Sequence, residues 1–218
     1  SGGSPLDAAL KAHVESVYGL ALHNGYGMTE SSPTVSHTML DAPRSDCSVG
    51  EVIPGVDVRF VGPDGVDAAA GEIGELWVRG PNVMLGYYRN PEQTRTAVTE
   101  DGWLKTGDLA RQDADGALHI VGRSKELIIR SGFNVYPNEV ENVVASHPGV
   151  LEVACVGVPD QHSGEAVKLF IVKKDQALTD ADIFAYCKTQ LTGYKRPKIV
   201  EFRTELPKSN VGKILRRE

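Results

Sequence analysis

Residues 49 to about 121 carry the pattern that most restricts the fold: short alternating apolar and polar runs that glycine and proline interrupt repeatedly. Val56, Val58 and Phe60 alternate with polar neighbours, as in a half-buried strand. The "GPDG" that follows is a hairpin turn signal, and "ELWVRG" and "ALHIVG" are further short strands. The pattern predicts a small twisted sheet or a distorted β-barrel subdomain.

The chain on either side of this stretch has a different character. Before it, Leu6, Leu10, Val14 and Val17 recur at helical spacing, and Gly19 can end that helix. After it, strands and helices are mixed. "KELIIRSGFNVYP" is typical of a hairpin, "NEVENVVASH" of a helix, and "LEVACVGV", "AVKLFIVK" and "KIVEF" of strands.

Thr179 and Asp182 form a capping box at the start of a further helix in this second part. The order of elements predicts a compact α+β domain, so the fold class of the whole chain is mixed, α/β and α+β. We place the boundary near Gly122–Lys125, which separates a first domain of residues 1–122 from a second of residues 123–218.

Charge and cysteine content argue against several classes of function. The 218 residues include 23 Lys and Arg against 29 Asp and Glu, a net charge of −6 that disfavours nucleic acid as a partner. Cys47, Cys155 and Cys187 are odd in number and form no CxxC, which argues against a disulfide framework or a zinc site and favours a cytoplasmic setting. We expect no membrane-spanning segment or signal peptide. Peripheral membrane contact stays open, and the sequence does not indicate an oligomeric state.

Residues 24–30, "NGYGMTE", combine groups that a ligand site can use. Glycine permits close backbone approach, an aromatic ring offers a flat apolar face, and a carboxylate offers oxygens to a hard cation. Taken alone, the stretch is more typical of a glycine turn before a polar loop.

Four stretches together are far more specific than any one of them. They are "GYGMTE" (25–30), "GWLKTGDLA" (102–110), "GRSKELIIRSGFNVYPNEVE" (122–141) and "PKSNVGKILRR" (207–217). In this order they resemble the adenylate-forming acyl-CoA synthetases, whose superfamily includes peptide adenylation domains and beetle luciferases. The opening "SGGSPL" resembles a fifth family motif, and the second part is similar in particular to bacterial long-chain fatty-acid–CoA ligases.

The resemblance implies a fragment of an enzyme. Family members carry a Ser/Thr/Gly-rich phosphate-binding loop upstream, and this sequence has no such segment. Residues 1–122 would be the end of the large domain, with a nucleotide motif and the barrel-like subdomain, and residues 123–218 the small mobile domain. The implied reaction converts a medium- or long-chain fatty acid, ATP and coenzyme A into acyl-CoA, AMP and pyrophosphate through an acyl-adenylate, with Mg²⁺. The isolated chain is expected to be inactive.

The resemblance also implies roles for the residues of "NGYGMTE". Tyr26 would stack on adenine, Gly25 and Gly27 would leave room for the nucleotide, and Asn24 would hydrogen-bond the base edge. Thr29 would donate its hydroxyl to the α-phosphate.

Other implied contacts to the nucleotide come from further along the chain. Glu30 would hold Mg²⁺, since a hard cation takes oxygen ligands. Asp108 would accept hydrogen bonds from the ribose hydroxyls. Arg123 would contact ribose and phosphate, while Asn134 and Gly3 complete the predicted nucleotide site.

The resemblance implies catalytic roles for Lys213, Thr29 and Glu30, and it implies roles in domain rotation and coenzyme A binding for three further residues. Lys213 would bridge the substrate carboxylate and the α-phosphate as the two anions meet. Lys125 would be the hinge of a rotating small domain. Ser131 and Gly132 would line the path of coenzyme A.

Two alternatives stay open beside the fatty acyl-CoA ligase. One is an aryl-acid or short-chain CoA ligase. The other is a non-catalytic nucleotide-binding fragment, because the phosphate loop is absent. Cys155 and Cys187 fall on apolar faces and are predicted to be core residues.

Overall fold

The computed structural model describes residues 1–3, 5–210 and 214–216. The chain divides into two compact units, Ser1–Ser124 and Lys125–Glu218. That the first unit is the end of a large domain and the second a mobile domain stays a prediction.

The first unit combines two antiparallel sheets with two helices. The helices are α1 (Ala8–Tyr18) and α2 (Pro91–Ala97). The strands are β1 (Gly25–Gly27), β2 (Thr34–His37), β3 (Glu51–Val52), β4 (Asp57–Val61), β5 (Gly74–Arg79), β6 (Leu104–Gln112) and β7 (Leu118–Arg123). One sheet has the order β1-β2-β3 and the other the order β4-β5-β6-β7.

The four-stranded sheet is open, because β4 and β7 lie at its opposite edges. Four strands are too few to enclose an interior filled by side chains. Of the two predicted forms, the described residues therefore adopt the sheet and not a closed barrel. The mixed fold class is confirmed.

Both helices of the first unit begin at a side-chain cap, and α1 also ends at a glycine cap. The Asp7 side chain accepts a hydrogen bond from the Leu10 amide at 2.7 Å, and Gly19 ends α1 in the left-handed region at φ +66°. Helix α2 lies in the stretch predicted to be strands only, so that part of the prediction was incomplete. Asn90 caps α2 and Pro91 occupies its first turn, a local signal that the strand pattern obscured.

One apolar cluster joins the two sheets of the first unit. Val35 of β2, Leu76 and Val78 of β5 and Ala110 of β6 are fully buried, and Tyr26 of β1 packs against them. This packing brings the glycine-rich strand β1 beside the middle of β6.

The second unit is a five-stranded sheet with two helices. Its strands are β8 (Ile128–Arg130), β9 (Phe133–Val135), β10 (Val150–Asp160), β11 (Gly164–Lys173) and β12 (Ile199–Arg203), and its helices are α3 (Pro137–Ala145) and α4 (Asp180–Gln190). The order is β10-β11-β8-β9, with β12 parallel to β11. The predicted hairpin, strands and helices are all present.

The second unit has a core of its own. The strands contribute Ile128, Leu169 and Ile171, and the helices contribute Val140 and Ile183, all at most 1% exposed. The predicted capping box also forms: the Thr179 hydroxyl accepts from the Asp182 amide, and the Asp182 carboxylate accepts from the Thr179 amide at 2.9 Å.

Candidate nucleotide-binding site

The backbone of β1 lies unusually close to the segment before β2. A Cβ atom on Gly27 would stand 1.9 Å from the Pro33 carbonyl oxygen, and one on Gly25 would stand 3.1 Å from the Ser36 carbonyl oxygen. At position 27 only glycine fits without moving backbone atoms. Gly27 is therefore required by the chain itself, whatever ligand it also admits, whereas Gly25 is only tightly packed.

Tyr26, Asp108 and Arg123 are brought together from three strands. The Tyr26 hydroxyl donates to Asp108 Oδ2 at 2.5 Å, although the two residues are 82 positions apart. Arg123 stands opposite Asp108 in the pairing of β6 with β7, and its Nε donates to Oδ1 at 3.0 Å. Three predicted nucleotide contacts thus form one hydrogen-bonded group.

The surroundings of Tyr26 set the protonation of its phenol. Burial, and then the negative charge of Asp108, raise the pKa of Tyr26 far above its ordinary value, so the phenol keeps its proton and is the donor. The Asp108 side chain is 8% exposed. Its two oxygens offer about four lone-pair sites, and each oxygen accepts one hydrogen bond from the pair of donors. Capacity remains for two further donors, as vicinal hydroxyls would provide.

Thr106 supports Asp108 from behind, and sequence reasoning missed it. The buried Thr106 hydroxyl accepts from the Asp108 amide at 3.1 Å and donates to the Leu76 carbonyl at 2.6 Å. It therefore ties the strand carrying Asp108 to β5. The only feature of the sequence that could have indicated this contact is the spacing in "KTGD", where Thr106 stands two residues before the aspartate.

Thr29 and Glu30 begin a single-turn 3-10 helix, Thr29–Ser31, directly after β1. The buried Ser31 hydroxyl donates to the Pro33 carbonyl at 2.6 Å and accepts from the Met28 amide at 3.1 Å, which closes the turn. Thr29 is exposed and Glu30 is half-buried.

A second residue that sequence reasoning missed holds Glu30. The Tyr87 hydroxyl donates to Glu30 Oε1 at 2.8 Å. Burial, and then the hydrogen bond to Glu30, raise the pKa of Tyr87, so its hydroxyl stays the donor. The sequence shows two adjacent tyrosines, Tyr87 and Tyr88, between Gly86 and the start of α2. That pattern does not indicate that a phenol reaches a carboxylate, or which one.

Asn24 and Gly3 lie beside β1. The Asn24 side chain is buried; its Nδ2 donates to the carbonyls of Cys47 and Ser48 at 3.3 Å, and its Oδ1 has no partner among the described residues. Gly3 adopts φ +79°, and a Cβ there would meet no atom within 4 Å. The Gly25 amide donates to the Ser1 carbonyl at 3.2 Å, so the opening residues run along β1.

Metal ligands are sparse in the described part of the chain. No three His, Cys, Asp or Glu side chains there are grouped so that they could hold a metal ion. Glu30 is a single carboxylate. That fits Mg²⁺, which keeps several waters and is commonly held by one or two carboxylates together with substrate phosphates.

The predicted coenzyme A residues form the tip of the β8–β9 hairpin in the second unit. Ser131 and Gly132 both have positive φ, at +51° and +81°, and the Ser131 amide donates to the Ser163 carbonyl at 2.8 Å. A Cβ on Gly132 would meet no atom within 4 Å, so its backbone conformation and not packing favours glycine. Asn134 is exposed on β9, opposite Ile129.

The structure describes the predicted hinge residue but not the predicted catalytic lysine. Lys125 is exposed within a 3-10 turn, Ser124–Glu126, and is the first residue of the second unit. Lys213 lies outside the described residues. Three residues after it, half-buried Arg216 donates to both oxygens of Glu141 and also pairs with Glu126.

The cysteines of the second unit are core residues. Cys155 and Cys187 are fully buried in the cluster formed by its strands and helices. Burial raises the pKa of Cys155 strongly and that of Cys187 to about 11. Neither thiol is ionised near neutral pH, so neither acts as a nucleophile there.

The described residues contain no helix with the length and apolar character needed to cross a bilayer.

Comparison with known proteins agrees with this geometry. The family model of AMP-binding enzymes matches residues 1–88, and that of the AMP-binding enzyme C-terminal domain matches residues 139–213. The whole chain is 55% identical to the long-chain-fatty-acid–CoA ligase of Yersinia pestis and spans 38% of its length. It is 44% identical to the feruloyl-CoA synthase of an Amycolatopsis species and spans 44% of it.

The fold of the chain is also similar to that of a solved structure. ATP-bound MatB from Rhodopseudomonas palustris is 39% identical, with a TM-score of 0.92 over 98% of this chain and 43% of that one. The two family models together match well over half of the chain, in the order in which the motifs occur. The chain therefore belongs to the AMP-binding, adenylate-forming enzyme family.

Proposed function

We propose that this chain is the C-terminal part of an ATP-dependent fatty acyl-CoA ligase. The observation that carries the proposal is the buried Asp108 carboxylate, held between the Tyr26 hydroxyl and the Arg123 guanidinium with acceptor capacity to spare. Such a carboxylate suits the two hydroxyls of a ribose. The family membership and the names of the relatives support the same reaction.

The nucleotide would occupy the surface around β1. Tyr26 stacks on the adenine, Gly25 and Gly27 admit it, and Asn24 reads the base edge. Asn24 would have to do so from a buried position. Its Oδ1 is unpaired among the described residues and is the atom that a base amino group would need. Gly3 and Asn134 complete the proposed contacts.

Glu30 and Thr29 serve the phosphates. The Thr29 hydroxyl is exposed and can donate to the α-phosphate. Glu30 would hold Mg²⁺, which, when bound, offsets the charge of the phosphates. A single carboxylate fixed by a phenol is a suitable donor for that ion.

In the first step a carboxylate oxygen of the acid forms a bond to the α-phosphorus, and pyrophosphate leaves with the electrons of the broken P–O bond. Two anions must approach each other, so catalysis requires positioning and positive charge. Lys213 supplies an ammonium for this purpose.

In the second step the thiol sulfur of coenzyme A forms a bond to the acyl carbon, and the bond from that carbon to the phosphate oxygen of AMP breaks. AMP leaves with the bonding electrons, and the thiol proton is released to solvent. Ser131 and Gly132 lie at an exposed hairpin tip that a pantetheine chain can pass. Lys125, at the junction of the two units, is the hinge about which the second unit would rotate between the steps.

The acid is a medium- or long-chain fatty acid on the strength of the relatives named long-chain ligases. A relative named feruloyl-CoA synthase keeps an aryl acid as the second candidate. The third is a nucleotide-binding fragment without catalysis.

The test is an assay of the full-length protein in which this chain occurs. Fatty, short and aromatic acids are supplied with ATP, Mg²⁺ and coenzyme A, and acyl-CoA and AMP are measured. We expect turnover with medium- and long-chain acids and no pyrophosphate exchange by residues 1–218 alone. Preference for aromatic acids would show that the substrate is an aryl acid and not a fatty acid. Pyrophosphate exchange by the isolated chain would contradict the need for an upstream half.

Replacing Lys213 by Ala should separate the two steps. We expect at least a ~100-fold loss of adenylate formation, in the range found for a single charge-stabilising group. Thioester formation from supplied acyl-adenylate should persist. Lys174→Ala, which removes an exposed lysine elsewhere in the same unit, is the control. Equal loss in both steps would count against the role.

The protein is proposed to be cytoplasmic, with at most peripheral contact with a membrane. The three free cysteines agree with a reducing compartment. Cell fractionation with a salt wash tests this: protein that only detergent releases would contradict it.

A further inference from the structure

The Glu30 residue is held at two points by one distant segment. The Tyr87 hydroxyl donates to Glu30 Oε1 at 2.8 Å, and the Met84 amide donates to the Glu30 carbonyl at 2.8 Å. One bond fixes the main chain of the glutamate and the other fixes its side chain. The second carboxylate oxygen, Oε2, accepts no hydrogen bond within the described residues.

Tyr87 is itself fixed against the start of α2. Its amide donates to Thr94 Oγ1 at 2.9 Å, and its carbonyl accepts from the Asn90 amide at 3.1 Å. Gly86 before it has φ +148°, and a Cβ there would stand 2.8 Å from Thr94 Cγ2. A bend that only glycine allows therefore aims the phenol at Glu30.

The neighbouring tyrosine shows that this contact is specific. Tyr88 is 86% exposed, whereas Tyr87 is half-buried and reaches the glutamate. Phenylalanine at position 87 would retain the ring, so only the hydroxyl distinguishes a contact to Glu30 from simple packing.

We infer that Tyr87 is a positioning residue for Glu30: its hydroxyl holds one carboxylate oxygen and leaves the other presented toward the metal–nucleotide complex. A free glutamate has three side-chain torsions, and ordering them on binding costs conformational entropy. A carboxylate ordered in advance avoids that cost. The inference rests on the proposed function, in which Glu30 binds Mg²⁺.

The decisive experiment measures nucleotide binding, not turnover. In the full-length protein, the affinity for ATP is determined by calorimetry with Mg²⁺ and again with a chelator, for the wild type and Tyr87→Phe. Loss of a group that orients a metal ligand weakens metal binding about 10-fold to 100-fold. We expect Tyr87→Phe to weaken binding of Mg–ATP about tenfold while binding of metal-free ATP stays unchanged.

Two further variants make the result specific. Tyr88→Phe should change neither affinity. In a Glu30→Gln background, Tyr87→Phe should have no further effect on Mg–ATP, because the group that it orients has lost its charge. Equal weakening of ATP binding with and without Mg²⁺, or no change at all, would overturn the inference.

Binding and turnover separate the inference from the proposed function. A wild type that binds Mg–ATP but forms no acyl-CoA from any acid refutes the function, and the Tyr87 comparison is still decided by the affinities. An active wild type whose Tyr87→Phe variant keeps its affinity for Mg–ATP refutes the inference alone.

Discussion

At the scale of single residues, packing and ligand binding both give a reason for glycine at position 27 beside Tyr26. The sequence suggests that Gly25 and Gly27 make room for a nucleotide. The structure adds that Gly27 passes so close to the Pro33 carbonyl that no other residue fits without backbone movement. A motif residue can therefore be required by packing before any ligand arrives.

Replacing Gly27 by Ala should destabilise the protein. The added Cβ would lie 1.9 Å from a carbonyl oxygen, and backbone must shift to relieve the overlap. Overpacking of this kind costs about 1–3 kcal/mol in the free energy of unfolding. Urea unfolding of the full-length protein measures it.

Gly122→Ala is the matched control, since a Cβ at that position of the same unit meets no atom within 4 Å. We expect a change within about 0.5 kcal/mol for it. Equal unfolding midpoints for Gly27→Ala and the wild type would show that the β1–β2 approach is not a constraint.

At the scale of elements, one aspartate organises the connection between β10 and β11. Asp160 Oδ1 accepts hydrogen bonds at 3.0 Å from the amides of His162 and Ser163 and from the Ser163 hydroxyl. Lys198, just before β12, pairs with Oδ2. The turn, the hairpin and the parallel edge strand therefore share one carboxylate.

Acid should weaken this connection. The ion pair with Lys198, and then the amides of the turn, hold the pKa of Asp160 well below its usual range. Unfolded aspartate titrates near 3.9, so the stabilisation is present above about pH 4 and is lost as the pH falls toward the folded value. The urea midpoint of Asp160→Asn should lie below that of the wild type at pH 7, with the gap closing on acidification.

Asp175→Asn is the control for this pH series. Asp175 accepts from the Ala177 amide in another turn of the same unit but makes no ion pair among the described residues. Its variant keeps an acceptor oxygen and loses no ion pair among the described residues, so its urea midpoint should match that of the wild type at pH 7. A gap for Asp160→Asn that is the same at pH 7 and pH 3 would show that the carboxylate charge does not stabilise the fold.

At the scale of the whole molecule, the proposed functions are divided between two units. Tyr26, Glu30, Asp108 and Arg123 lie in the first unit, whereas Ser131, Gly132 and Asn134 lie in the second. A reaction in two steps that uses both units should respond differently to changes in each. Substitutions in the second unit are therefore expected to separate the steps.

Gly132→Leu should slow thioester formation while leaving pyrophosphate release intact. The side chain has open space within this chain, so it would obstruct an entering pantetheine and not the protein core. A steric cost of about 1–3 kcal/mol against the entering pantetheine corresponds to a ~5- to 150-fold slower second step. The two half-reactions are measured separately in the full-length protein.

Gly116→Leu controls for backbone strain. Gly116 also has positive φ, at +90°, with no atom within 4 Å of a Cβ, and it lies in the turn between β6 and β7. The Gly116→Leu variant should not slow one half-reaction more than the other. Unchanged kinetics with coenzyme A in Gly132→Leu would remove the hairpin tip from the proposed path.

Much of the fold was readable from local patterns. Some structural features depend only on residues that are close in sequence, so the sequence predicts them directly. Examples are the helix end at Gly19, the capping box at Thr179 and the alternation in β4. Helix α2 was missed because its short capped run lies among strand signals. The sequence also did not distinguish an open sheet from a barrel. A sheet closes into a barrel only if its two edge strands pair, and the pattern within each strand does not determine that pairing.

The sequence by itself determined the kinds of elements, the order of the motifs and the family to which they belong, because these depend on local chemistry and spacing. Only the tertiary structure decided that Tyr26 and Arg123 share Asp108 and that Tyr87 holds Glu30. The tyrosine contacts join residues 82 and 57 positions apart. Such pairs meet only when strand register and core packing bring their backbones together, and no local pattern records that outcome.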